Sequence, residues 1–276
     1  MAEITAADVA KLRKACGAGM MDCKNALVES NGDFEKAMEL IRERGKAIAN
    51  KRADREAGEG AAIAKVNAAG NHGAMVVLNC ETDFVAKNND FVALAQSILD
   101  VALDKKPADL DALKALEING RKIADLVMDQ SGVTGEKFEL SFYDKIDAAK
   151  VVAYIHPGNK LATLVGLNKA DVDTQVGKDV AMQVAAMSPV AVDKDNVPEE
   201  LRKKEFEIGR EQARLEGKPE NMLDKIAEGK LQKFYKESTL LNQDFVKDNK
   251  MTIRQYLQSI NKELTVTGFK RVSLNA

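Results

Sequence analysis

The side chains able to carry out chemistry are few: two histidines, His72 and His156, and three cysteines, Cys16, Cys23 and Cys80. Each histidine sits in a turn-rich stretch, Gly70-Asn71-His72-Gly73 or His156-Pro157-Gly158-Asn159. Neither has a His or Glu at the i+4 spacing that brings two metal ligands onto one helix face. Both are expected to be solvated turn residues. An odd cysteine count without C-x-x-C fits neither a disulfide framework nor a zinc site. It points instead to thiols acting as small hydrophobes in a reducing cytosol. Cys80 with a histidine would make a nucleophile, but no signature of such an enzyme surrounds it. There is no G-x-x-x-x-G-K-[ST], and Gly17-Ala18-Gly19 lacks a third glycine in register and follows a helical pattern. No catalytic residue, no metal ligand set and no cofactor are expected.

One segment stands apart: Asn79-Cys80-Glu81-Thr82-Asp83-Phe84-Val85-Ala86-Lys87, between a strand pattern and a helix pattern. It has two readings. In one, Phe84 staples onto the following helix, against Phe91 or Leu94, with Asp83 as its cap. Alternatively, Phe84 is an exposed aromatic beside a carboxylate on a rigid turn, the form in which interfaces present an anchor. The equivalent join further along, Asn168-Lys169-Ala170-Asp171-Val172, carries no aromatic, so a shared scaffold does not demand one.

The composition says what kind of partner such an anchor would meet. With 41 basic and 43 acidic residues the net charge is -2, which lacks the Lys and Arg excess that phosphate backbones require. Aromatics are 5% and tryptophan is absent, so base-stacking platforms are not expected either. The N-terminus shows no signal-peptide pattern, and no apolar run is long enough to cross a bilayer. A cytoplasmic protein that binds other proteins, with no nucleic-acid or membrane partner, is the expectation.

The elements that must position these residues follow from periodicity. Thr5 with Asp8 starts a helix in which Val9, Leu12 and Cys16 share a face; a second helix spans about Met20 to Ser30; Asp33 caps a third with Phe34, Ala37, Met38 and Ile41 inward. Three helices this short must pack together to be stable. Ala47 to Gly60, charged and Ala/Gly-rich, is a linker or an exposed helix. Two strand–turn–strand–helix patterns follow. The first pairs Ile63–Val66 with Ala74–Leu78; the second pairs Val151–His156 with Leu161–Asn168. Gly70-Asn71 aligns with Gly158-Asn159, which suggests a duplicated unit. Further helix is expected from Leu110 to Met128, and strand over Phe138–Phe142. Glu199–Glu216 and Glu220–Ser238 flank Gly217-Lys218-Pro219 as a protruding antiparallel helical hairpin of coiled-coil type. Its seam is expected at Leu201, Ile208 and Leu215, continued by Leu223, Ile226, Lys230 and Phe234. A helix near Ile253–Ile260 and a strand over Leu264–Leu274 close the chain.

The fold class is therefore α+β. Residues 1–45 form a helical bundle, 46–60 a linker, 61–145 the first half of a core with antiparallel sheets and 146–190 its second half. Residues 191–238 are the hairpin insertion, and 239–276 return to the second half.

At this point the sequence resembles the elongation factor Ts family. Two motifs carry the resemblance: Leu12-Arg13-Lys14-Ala15-Cys16-Gly17-Ala18-Gly19-Met20-Met21-Asp22-Cys23-Lys24-Asn25-Ala26-Leu27 with Asn31-Gly32-Asp33, and the Asn79–Lys87 segment. The module order, including Tyr154-Ile155-His156, matches over nearly the whole chain. Departures are Cys16 where the family usually has Thr, Val77 in place of an acidic residue, and Gln183 in place of a His. The sequence also stops just after Leu274, where many members add a C-terminal helical module.

The resemblance implies a guanine-nucleotide exchange factor that binds the GDP form of the translational GTPase elongation factor Tu. It would disturb that partner's Mg²⁺ and phosphate site and promote GDP release. Thr82, Asp83, Phe84 and Val85 would be the wedge near the Mg²⁺ site. The N-terminal bundle would be of the ubiquitin-associated type, docking through Arg13, Gly17, Ala18, Gly19, Met20, Met21, Asp22 and Lys24. His156 would contact a second domain of the partner. The hairpin is open to self-association or a second partner, and an interaction adaptor without exchange activity is the alternative.

Overall fold

The structure, a computed structural model, describes residues 4–274. The first helix, α1 (Ala6–Cys16), opens with a capping box in which Thr5 accepts from the Asp8 amide and the Asp8 carboxylate accepts from the Thr5 amide. Gly17, at φ 73°, ends it in the left-handed conformation. Then come α2 (Met20–Glu29) and α3 (Phe34–Lys51), the latter capped by Asp33 accepting from the Lys36 amide. Val9, Leu12, Cys23, Ala26, Leu27 and Ala37 interlock as the core of this bundle. The third helix does not stop near Gly45. It runs on to Lys51 because its last turns have a surface to pack on, given below.

The chain continues with β1 (Glu59–Val66), β2 (His72–Cys80), α4 (Asp83–Ala86), α5 (Asn89–Lys105), α6 (Leu110–Ala115), β3 (Glu117–Ile118), β4 (Arg121–Lys122), α7 (Ile123–Thr134) and β5 (Glu139–Asp147). The continuous helix expected from Leu110 to Met128 is broken. Asn119 and Gly120, at φ 52° and 75°, turn the chain between β3 and β4, as Asn-Gly favours. The remaining elements are β6 (Lys150–Ile155), β7 (Leu161–Leu167), α8 (Thr174–Met187), α9 (Glu199–Leu215), α10 (Glu220–Ser238), β8 (Asp244–Phe245), β9 (Asp248–Thr252), α11 (Ile253–Ile260) and β10 (Val266–Ser273).

The two larger sheets are antiparallel, in the orders β1-β2-β5 and β10-β7-β6. Their side chains alternate between two destinations, as the pleat requires. Ile63, Val76 and Leu78 point to Phe91, Ile98 and Leu99 of α5 and to Val127 of α7. Their neighbours Ala62, Ala64, Met75 and Val77 point the other way, onto Val151, Ala162 and Leu164 of the second sheet. Val165 and Leu167 then face Val176, Val180 and Val184 of α8, and Ile253 and Leu257 of α11. The layers run helix, sheet, sheet, helix. Close contact between the sheets needs small residues: a Cβ on Gly73 would lie 2.8 Å from Val151 and 2.9 Å from Leu164.

The surface that extends α3 is α7. A Cβ on Gly132 of α7 would lie only 2.3 Å from the Gly45 Cα, so two glycines let the helix backbones meet there. The bundle is thereby seated on the first half of the core.

The α9–α10 hairpin forms and Leu223 lies in its seam as expected, but the rest of the seam is made by other residues. Gly209 and Ala213 of α9 face Leu223, Ala227 and Leu231 of α10, and a Cβ on Gly209 would lie 3.4 Å from the Ala227 Cα. The heptad residues Ile208 and Leu215 are exposed, Leu215 by 79%. Small residues won because they allow the helices to approach closely. No described helix is long and apolar enough to cross a membrane.

Candidate functional site

The Thr82–Val85 turn begins where β2 leaves the sheet. Glu81, at the exit, is gripped from two sides. Arg52 donates to both carboxylate oxygens at 2.8 and 2.9 Å, Arg55 donates at 3.2 Å, and the Lys137 amide donates at 2.7 Å. Burial pushes the Glu81 carboxyl upward, but the Arg52, Lys137 and Arg55 donors outweigh it and hold it below the usual carboxylate range. Thr82 is held next. Its amide and hydroxyl both donate to Glu136, at 3.1 and 2.6 Å, while its own oxygen caps α4 by accepting from the Val85 amide.

Val85 turns inward onto the first core cluster, and Phe84 turns out. Phe84 is 83% exposed, so the staple onto Phe91 or Leu94 is not made. The cap of α4 is Thr82 rather than Asp83. Asp83 instead pairs with Lys87 one turn on, at 2.5 Å, and this partner draws its carboxyl below the usual range. An exposed pair of this kind adds little stability and is easily exchanged for another partner.

In the N-terminal bundle, Arg13, Gly17, Gly19, Met20, Met21, Asp22 and Lys24 are exposed, Met20 by 59% and Met21 by 65%. Ala18 is buried in the bundle core, so its side chain positions the turn and does not reach outward. His156 is exposed, with its Nδ1 2.9 Å from the Tyr154 hydroxyl.

These three segments, far apart in sequence, lie in one chain of contacts. Gly17 comes against Val133 of α7, and Glu136, just beyond α7, holds Thr82. A cleft of about 300 Å³ between bundle and core is lined by Cys16, Gly17, Val85 and Phe138, among others. On the other side, Lys160, in the turn after His156, pairs with Glu59 at 2.9 Å, and Glu59 lies opposite Cys80 in the sheet. The Asn159 carbonyl also accepts the Ala62 amide at 2.6 Å. The His156 turn is thus tied to the strand that borders the Phe84 turn.

His72 is not a solvated turn residue. It opens β2, is fully buried, and its Nδ1 lies 2.7 Å from Asp147 on β5. Cross-strand pairing, invisible in the local sequence, brought it inside. Cys80 ends the same strand, eight residues or roughly 26 Å away at strand spacing, which rules out a nucleophile pair between them. Cys80 is itself buried, and its thiol is pushed up to about 12 by burial and by the nearby Glu136 charge. Among the described residues no cluster of three or more His, Cys, Asp or Glu could hold a metal ion.

Sequence reasoning missed Arg52, Glu136 and Lys137, which hold the turn, and gave Glu81 no role although it lies in the segment singled out. Their partners lie up to 56 residues apart, and no local pattern signals such pairing.

The comparisons with known proteins bear on the same segment. A family model described as "Elongation factor TS" matches residues 81–276, beginning at the residue that anchors the turn. The chain belongs to the elongation factor Ts family. It is 57% identical to an elongation factor Ts of Porphyromonas gingivalis over 274 residues, 99% of each chain. It is 53% identical to that of Amoebophilus asiaticus over 275 residues, again 99% of each. It is also 50% identical to that of Azobacteroides pseudotrichonymphae over 272 residues, 99% of this chain and 98% of the relative. These elongation factor Ts relatives span the N-terminal bundle as well, and membership makes the chain a translation elongation factor.

Proposed function

We propose that this chain is a guanine-nucleotide exchange factor, without catalytic residues of its own, that acts on elongation factor Tu. It binds the GDP form, disturbs the Mg²⁺ and phosphate site, and promotes GDP release. The observation that carries this reading is Phe84: a large apolar side chain kept 83% exposed on a turn that Arg52, Lys137 and Glu136 hold from behind.

In such GTPases the phosphate-binding loop and Mg²⁺ hold the nucleotide. A ring inserted beside them is compatible only with a conformation in which they are displaced, and binding energy specific to that conformation lowers nucleotide affinity by the same amount. Linkage makes the effect reciprocal: bound GDP weakens the factor's hold by the same ratio. Burying a phenylalanine ring is worth about 2 kcal/mol, which corresponds to roughly thirtyfold in an equilibrium. Asp83 orients the turn and brings a negative charge beside the metal. Arg13, Gly17, Gly19, Met20, Met21, Asp22 and Lys24 dock the bundle on the GTPase domain. The His156 turn meets a second domain, so the two contacts act as a lever.

The test is stopped-flow release of a fluorescent GDP from elongation factor Tu. Adding this chain should accelerate release, and Phe84→Ala should remove roughly tenfold or more of the acceleration. Unaltered release with Phe84→Ala would overturn the wedge. Binding indifferent to nucleotide, with no acceleration at all, would identify an interaction adaptor instead.

A further inference from the structure

The Cys16 and Cys23 sulfurs lie 3.6 Å apart, at the end of α1 and within α2, with Gly17-Ala18-Gly19 between the helices. Their surroundings differ. Cys23 is fully buried and directs its S–H to the Ala18 carbonyl at 3.7 Å, whereas Cys16 is half-buried and lines the cleft beside Val85. One thiol is open to a small reagent, and the other waits behind it.

We propose that Cys16 and Cys23 form a dithiol that a hydroperoxide closes into a disulfide, locking the turn between α1 and α2. The Cys16 sulfur attacks one peroxide oxygen; the O–O bond breaks, an alcohol or water leaves with the Cys16 proton, and a sulfenic acid remains. The Cys23 sulfur then attacks the Cys16 sulfur; the S–O bond breaks, and hydroxide leaves with the Cys23 proton as water. The two sulfurs lose two electrons, and the peroxide oxygens gain them. Cys16 opens onto the cleft while Cys23 is shut inside the bundle, so Cys16 meets the oxidant and Cys23, in contact behind it, resolves.

The geometry permits the closure. A disulfide needs the sulfurs at about 2.05 Å, so they must approach by roughly 1.5 Å. Glycines on both sides of Ala18 give the turn that freedom. Closure removes the S–H that the Ala18 carbonyl accepts and draws Cys16 back from the cleft. Cys80 has no second thiol in reach, which makes it the internal control.

The experiment treats the full-length protein with hydrogen peroxide, alkylates the remaining thiols and maps the peptides. The expected result is loss of two hydrogens from the intact mass, a peptide linking Cys16 to Cys23, and reversal by dithiothreitol. Cys80→Ser should behave the same way. Cys16→Thr, folded by circular dichroism, should form no intramolecular link. In the linked form, amide hydrogen exchange at residues 17–19 should slow severalfold. Finding Cys16 and Cys23 both alkylatable after peroxide, or Cys16 over-oxidised without pairing, would overturn the proposal.

A coupling of this lock to nucleotide exchange rests on the docking role proposed above and is read separately. Association with GDP-bound elongation factor Tu should slow severalfold on oxidation and recover on reduction. Equal association with the disulfide in place would overturn docking through this turn and leave the dithiol site standing.

Discussion

Glu136 accepts two hydrogen bonds from a single residue, Thr82: the amide at 3.1 Å and the hydroxyl at 2.6 Å. The loop after α7 therefore fixes both the backbone and the side chain at the base of the Phe84 turn. Glu136→Ala should cost about 1.5–3 kcal/mol in urea unfolding, the range for hydrogen bonds to a charged group. It should also slow GDP release in the same direction as Phe84→Ala but by less. Because the two groups act as a unit, Thr82→Ala combined with Glu136→Ala should cost less than the sum of the single changes. Additive losses would show that Glu136 does not act through Thr82.

Phe84→Ala itself should leave stability within about 0.5 kcal/mol of the parent, since the ring is exposed and supports nothing beneath it. A thermal scan alongside the exchange assay separates this from a folding defect.

The contact between Gly45 and Gly132 carries the seat of the bundle. Gly132→Ala places a methyl 2.3 Å from the Gly45 Cα, where only movement of a helix backbone can relieve it. The expected cost is about 1–3 kcal/mol, the usual price of overpacking. The bundle should loosen before the core does. Limited proteolysis between Lys51 and Glu59 should therefore speed up well below the main thermal transition.

Glu81 gives the molecule an acid sensitivity whose sign follows from its partners. Its carboxyl is lowered in the folded state from the ordinary value of 4.5. The stability it contributes is therefore fully present above 4.5 and is lost as the pH falls through the lowered folded value. Glu81→Gln should cost about 2 kcal/mol at neutral pH, because the Arg52 and Arg55 charges lose their carboxylate. The difference between variant and parent should shrink as the pH drops below 4.5. Urea midpoints measured against pH for both proteins check this; a constant difference would mean that its partners do not lower the Glu81 carboxyl in the folded state.

On the hairpin, Ala227→Leu should destabilise by about 1–3 kcal/mol, since Gly209 already touches Ala227. Leu215→Ser should stay within about 0.5 kcal/mol, because that side chain is exposed. Hydrogen exchange in α9 and α10 reads both.

Local chemistry determined a good deal of this protein from the sequence alone. Thr5 with Asp8, Asp33 ahead of Phe34, and the alternating apolar residues of the two hairpins name their own helix starts and strands, because caps and pleats act over three or four residues. The α+β class and the unusual Asn79–Lys87 segment were legible for that reason. What tertiary structure decided always involved a second surface. His72 reads as a turn residue until β5 brings Asp147 beside it. Leu201, Ile208 and Leu215 read as a seam until two helices choose the smaller Gly209 and Ala227, where backbones can meet. Phe84 had two readings in the local sequence. Only the grip of Arg52, Lys137 and Glu136 on its neighbours, made by loops remote in sequence, turned Val85 inward and left the ring in solvent.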